Sequence, residues 1–174
     1  MDRLETDASW FEALNDFSAD FWLDYPGARE HVRVLNLFNV SQYTPLIFAA
    51  KDVLPSSPEI VEVLRYCSII SLRFIGVGHR STHILEEVYK RAAVQLRSGT
   101  FCTLRDIRHG LEPVYVTDAE FEADFTALRL RSRGTSGKRL RYLHAKLEQR
   151  KAGADISDEI MGATVGTSFQ KTPP

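Results

Sequence analysis

Apolar side chains return every three or four residues along most of this 174-residue chain, and alternation at every second residue is approached only between Pro113 and Thr117. A period of three to four puts apolar groups on one face of a helix, whereas a half-buried strand needs a period of two. The pattern restricts the chain to an all-α fold, an irregular bundle of about seven or eight helices. No internal repeat is present.

Period and punctuation together place the helices. From Ala8 to Tyr25 the residues Trp10, Phe11, Leu14, Phe17, Phe21 and Tyr25 keep the helical spacing. This predicts one amphipathic helix, opened by Asp7 as acceptor for the first-turn N–H groups and closed by Pro26-Gly27. Val32, Leu35, Asn36 and Phe38 mark a shorter second helix ending near Asn39. Thr44-Pro45 opens a third that runs to about Leu54 and is apolar on most sides, as a buried central helix would be. Ser57-Pro58-Glu59 repeats the start signal, and Ile60, Val63, Leu64, Cys67, Ile70 and Phe74 follow until Gly76 and Gly78 break the helix.

Ser81 or Thr82 opens the next helix, with Ile84, Leu85, Val88, Ala92 and Leu96 as its stripe and Ser98-Gly99 as its stop. Thr103-Leu-Arg-Asp106 begins a short turn ending at Gly110, and Thr117-Asp-Ala-Glu120 has the spacing of a reciprocal capping box, with Phe121, Phe125 and Leu128 behind it. After a break at Gly134 to Gly137, Leu140, Leu143 and Leu147 carry a last basic helix that fades at Gly153. Ala154 to Pro174 keeps no period, so a helical domain over residues 1–153 and a flexible, mobile tail over 154–174 are expected.

A chain of this length can bury a core without disulfides or metal. Its 44% apolar and 26% charged residues are those of a soluble globular protein. The longest apolar stretches, such as Leu46 to Ala50, fall far short of the roughly 20 residues of a membrane span. The acidic start, Met-Asp-Arg-Leu-Glu-Thr-Asp, lacks the basic and apolar regions of a secretion signal, so a cytoplasmic protein without a membrane partner is expected. Cys67 and Cys102 lack the paired spacing of a zinc site and read as buried thiols.

The net charge of −1 conceals a polarity. Residues 1–30 carry two basic and eight acidic side chains, a net of −6, while residues 129–151 carry nine basic and one acidic, a net of +8. Opposite ends can attract each other or serve separate partners. Arg129, Arg131, Arg133, Lys138, Arg139, Arg141 and Lys146 are the candidate nucleic-acid-binding residues, since clustered cations neutralise backbone phosphates without reading sequence. A solvated helix face is the alternative.

No catalytic constellation emerges. His79 and His83 stand four apart, a spacing that begins some metal sites, but His79 precedes the helix start and no third ligand follows. Gly76-Val77-Gly78 lacks the strand before it and the Lys-Ser/Thr after it that a phosphate loop requires. His31, His109 and His144 are isolated and read as surface or satisfied core groups, and Trp10, Phe11, Phe17, Phe21 and Trp22 as packing. Neither a cofactor nor a metal site is expected. A small metal-dependent nuclease using His79, His83 or His144, or a homo-oligomeric scaffold, remains an alternative reading.

Five segments in order carry a resemblance: Val34-Leu-Asn-Leu-Phe, Tyr43-Thr-Pro-Leu-Ile-Phe-Ala, Leu72-Arg-Phe-Ile, Phe121 with Phe125, and Lys138-Arg-Leu-Arg-Tyr-Leu-His-Ala-Lys-Leu-Glu148. Together they span roughly residues 30 to 150 and resemble the connecting helical region of the GmrSD-type modification-dependent restriction endonucleases and related phage-defence proteins. That family joins a ParB-like nucleotide-dependent domain, with an Asp-Gly-Gln-Gln-Arg type motif, to a His-Asn-His-like nuclease. This sequence contains no Gln-Gln-Arg string, and after Glu148 it has Ile156-Ser-Asp-Glu-Ile-Met-Gly in place of the Glu-His-Ile-Leu-Pro signature. The resemblance therefore implies a noncatalytic helical interaction domain, a truncated or split relative associating with DNA or a protein partner. It relates Arg73 and the Arg139 to Tyr142 cluster to the family pattern, with the role of joining helices through buried charge-assisted hydrogen bonds.

Overall fold

A computed structural model describes residues 3–54, 56–129 and 134–152. Eight α-helices form there, and no strand appears among the described residues. They are α1 (Arg3–Asn15), α2 (Ala28–Leu37), α3 (Thr44–Val53), α4 (Ser57–Ser71), α5 (Thr82–Arg97), α6 (Leu104–Gly110), α7 (Asp118–Ala127) and α8 (Gly134–Ala152). Two 3-10 turns, Asp20–Asp24 and Glu112–Val114, and a π-helical turn, Leu72–Val77, complete the described elements. The expected tail, 154–174, lies outside the described residues. The chain divides into two compact units, residues 1–128 and 129–174.

In the first unit α3 is the hub, packing most extensively on α5 and also on α4 and α1. Its Pro45 costs nothing at the first turn, where an N–H has no acceptor. Leu46, Ile47, Ala49 and Ala50 are all fully buried, so the helix is enclosed on several sides, as its composition predicts. The alanines let neighbouring backbones approach, while a buried Leu or Ile contributes roughly 1.5–3 kcal/mol over an exposed one. A second interface joins α2 to α4, and Val32 and Leu35 of the one and Val63 and Leu64 of the other are fully buried.

The single helix expected over 8–25 is two elements. The Asp16 carboxylate accepts from the Ser18 N–H at 2.9 Å and from its hydroxyl at 2.6 Å, a local turn that competes with helix. Carbonyls left over at the end of α1 find distant donors. Trp22 Nε1 donates to Ala13 O at 3.2 Å and Asp16 O at 3.1 Å, and Asn36 Nδ2 donates to Leu14 O at 2.9 Å. Trp10, Phe21, Trp22 and Tyr25 close over this corner edge to face, with ring centroids 4.9–6.1 Å apart and one stacked pair, Phe21 on Tyr25. Phe11 and Phe17, expected in this packing, instead remain 57% and 40% exposed. Asp7 lies inside α1 rather than at its start and pairs with Lys51 on α3 at 2.6 Å.

Gly76, expected with Gly78 to break the fourth helix, lies inside the helical run, which ends before Gly78. α4 passes into the π-helical turn, in which Gly78 N–H reaches back five residues to Arg73 O at 2.9 Å. Gly76 is required there because a Cβ would stand 2.6 Å from the buried Phe38 ring. The chain turns only at His79, in a left-handed conformation of φ 47°. Gly137, expected within a break, lies inside α8.

Candidate functional site

Of the seven basic positions singled out in the sequence, Arg129 is exposed outside any helix, and Arg131 and Arg133 lie outside the described residues. Lys138, Arg139, Arg141 and Lys146 stand on α8. At about 100° per residue these four fall within an arc of about 160°, which also holds the buried Tyr142 and Ala145, while Leu147 on the other side is 44% exposed. Lys138 is exposed and the other three are half-buried. The Lys146 ammonium lies 5.9 Å from the centre of the Tyr142 ring.

The histidines are dispersed. His79 sits in the exposed loop before α5 and His83 in the first turn of that helix. His31 Nδ1 is 3.2 Å from the Ser68 hydroxyl, and His109 is 3.1 Å from Glu112. Among the described residues no three His, Cys, Asp or Glu side chains gather as a metal-binding group. The cysteines differ from expectation. Cys67 is buried, but Cys102 is exposed and donates to Gly99 O at 3.2 Å.

Charged groups gather instead at three places in the first unit. Lys51, its side chain 8% exposed, lies 2.6 Å from Asp7 and 2.9 Å from Asp52, which also meets Arg3 at 3.1 Å. Burial disfavours the Lys51 ammonium, but its hydrogen bonds to Asp7 and Asp52 outweigh that, and its pKa rises. Burial likewise disfavours the Asp52 carboxylate, and Lys51 with Arg3 carries its pKa below the ordinary value. This cluster joins α1 to α3.

The second cluster holds α7, a helix with no buried residue of its own. Arg73 Nη1 donates to Val116 O at 2.9 Å and Asp118 Oδ1 at 2.6 Å, and its guanidinium lies 4.9 Å from the Phe121 ring centre. Arg80 Nη1 donates to Asp124 Oδ2 at 2.6 Å. The helix-joining role expected of Arg73 matches this geometry, although the group is part-buried.

The third is a recess of about 440 Å³ between α4, the π-helical turn, α6 and the following 3-10 turn. Arg65, Arg73 and Arg108 line it together with Tyr66 and Tyr115, above the buried side chains of Ile70 and Leu111. Tyr66 carries two guanidinium groups, Arg65 at 5.0 Å and Arg108 at 5.2 Å from its ring centre, and Arg73 lies 5.7 Å from the Tyr115 ring. Arg65 is held from outside by Glu62, at 3.0 and 3.1 Å, which raises its pKa. Among the described residues Arg108 makes no side-chain hydrogen bond and no ion pair. Sequence reading singled out Arg73 but not Arg65 or Arg108. Arg65 stands beside Tyr66 in sequence, a pairing common on solvated helices, whereas Arg108 meets Tyr66 only through the fold.

No family model matches this chain, and neither does any curated protein or solved structure.

Proposed function

We propose that this protein is a noncatalytic helical interaction domain that docks on DNA through the phosphate backbone, using the basic segment 129–151. The observation that carries the reading is charge density: nine basic side chains and one acidic in that segment. Phosphate neutralisation needs neither a groove-reading helix nor fixed base contacts, so a cationic surface suffices for sequence-independent binding. The order of segments resembling the GmrSD-type connecting region supports a DNA-linked or defence setting. A net of −6 over residues 1–30 gives the other end of the chain no attraction to DNA and fits a separate protein partner.

The test is fluorescence anisotropy with a labelled duplex of about 20 base pairs, over a salt series, for the wild type and for Lys138→Glu/Arg139→Glu/Lys146→Glu. Wild-type binding should weaken linearly in log–log salt, and the variant should show a shallower slope, by about one for each phosphate it no longer neutralises. Wild-type binding that ignores salt, or a variant indistinguishable from it, overturns the reading and leaves protein association as the function.

A further inference from the structure

The arginine recess stands apart from the basic segment and is built from residues 65–115 alone. Gathering three guanidinium groups around one opening is unfavourable unless negative charge is nearby. Two are compensated from outside the recess, Arg65 by Glu62 and Arg73 by Asp118. Arg108 has no such carboxylate among the described residues. Glu112, the one acidic side chain of the lining, is 3.1 Å from His109 and 66% exposed.

Donor geometry follows from the bonds already made. Arg73 spends Nη1 on Val116 and Asp118, which leaves its Nε and Nη2 donors unused. Arg108 retains its full planar fork, the shape that matches a carboxylate or phosphate. Ring contacts, Arg108 with Tyr66 and Arg73 with Tyr115 and Phe121, reduce the side-chain freedom lost on binding. The aliphatic lining is the half-buried Ile69 together with Ile70 and Leu111, which are 4% and 1% exposed. The volume lies within the range of small-molecule sites.

We propose that this recess binds a small organic anion, with its carboxylate or phosphate head on Arg108 and Arg73 and a flat apolar body against Ile69 and Tyr66. The charge sets the orientation and the aromatic rim accepts a planar group by stacking.

Isothermal titration of the full chain tests this with 1-naphthyl phosphate and 1-naphthoate, which share the body and differ in the head. Inorganic phosphate and 1-naphthol supply the head and the body separately. Binding of either naphthyl anion, weakened about ten-fold or more by Arg108→Gln and unchanged by Arg91→Gln on the exposed side of α5, is the expected result. The tighter of the two identifies the head. Arg108 is exposed, so its substitution leaves the fold intact. The proposal is overturned if neither anion binds at millimolar concentration, if Arg108→Gln binds as the wild type does, or if 1-naphthol or inorganic phosphate alone binds as tightly as the naphthyl anions.

Discussion

Cys67 and Cys102 occupy opposite environments, and their chemistry should diverge accordingly. Burial pushes the Cys67 thiol up to about 12, so near pH 8 it stays in the unreactive thiol form, and no reagent reaches it without opening the fold. Cys102 is exposed. A colorimetric thiol assay should therefore count one fast group in the native protein and two in denaturant; two fast groups in the native state would contradict the burial of Cys67. Gly76 gives a second test at this scale. Its missing Cβ leaves room for the Phe38 ring, so Gly76→Ala should cost about 1–3 kcal/mol in chemical denaturation. Adding Phe38→Leu should offset part of that loss, because the smaller side chain removes the clash; strictly additive costs would show that the two residues do not meet. Neither the glycine's role nor the exposure of Cys102 could be read from sequence. Both depend on what another segment places beside them, whereas Cys67, inside a strongly periodic apolar run, was legible.

Elements opened by local chemistry were legible, and elements closed by distant chemistry were not. Thr117 and Glu120 form the reciprocal capping box that their spacing predicts, and Thr103 with Asp106 forms a second. In each box the signal and the bond lie within four residues, so Thr117→Ala should cost about 1 kcal/mol. The end of α1 combines the local Asp16–Ser18 turn with donors supplied by Trp22 and Asn36, and the apolar period runs on past it. The boxes also predict a pH dependence. The Cys102 N–H and the Thr103 hydroxyl hold Asp106 below the ordinary carboxylate value, and the Thr117 hydroxyl and N–H do the same to Glu120. A carboxylate with a depressed folded pKa contributes its full stability above the ordinary carboxylate value, and that contribution is lost progressively as pH falls from there through the lower folded value. Asp106→Asn/Glu120→Gln should lower Tm near pH 7 and approach the wild type near pH 3; a constant difference across that interval would show that the carboxylate charge is not what stabilises these helix starts. The attachment of α7 is equally specific. With no buried residue of its own, it depends on Arg73 and Arg80, so Arg80→Gln should raise amide exchange across 118–127 about ten-fold while α3 stays protected. Uniform change in both helices would point to global loosening.

At the scale of the whole molecule, the all-α class follows from the period alone, because apolar spacing of three and four leaves no sheet to build. The arginine recess does not follow. Arg65 and Tyr66 come from α4, Arg73 from the π-helical turn and Arg108 from α6, so the site exists only after α4 and α6 meet. The basic segment is the reverse case, a composition visible in sequence whose cations α8 then distributes over one arc. The two proposed sites therefore rest on different physics and different units, 1–128 and 129–174. One uses a few oriented guanidinium groups beside an aliphatic lining, the other a density of screened charge. Full-length variants should separate them. Arg108→Gln should lose the naphthyl anions and keep duplex binding, since one exposed charge outside the basic segment changes the salt slope little. Lys138→Glu/Arg139→Glu/Lys146→Glu should lose duplex binding and keep the naphthyl anions. Titrating both ligands into both variants reads this directly. If each variant loses both ligands, one shared anion-binding function replaces two sites; if duplex DNA displaces the naphthyl anion from the wild type, the recess itself takes part in DNA binding.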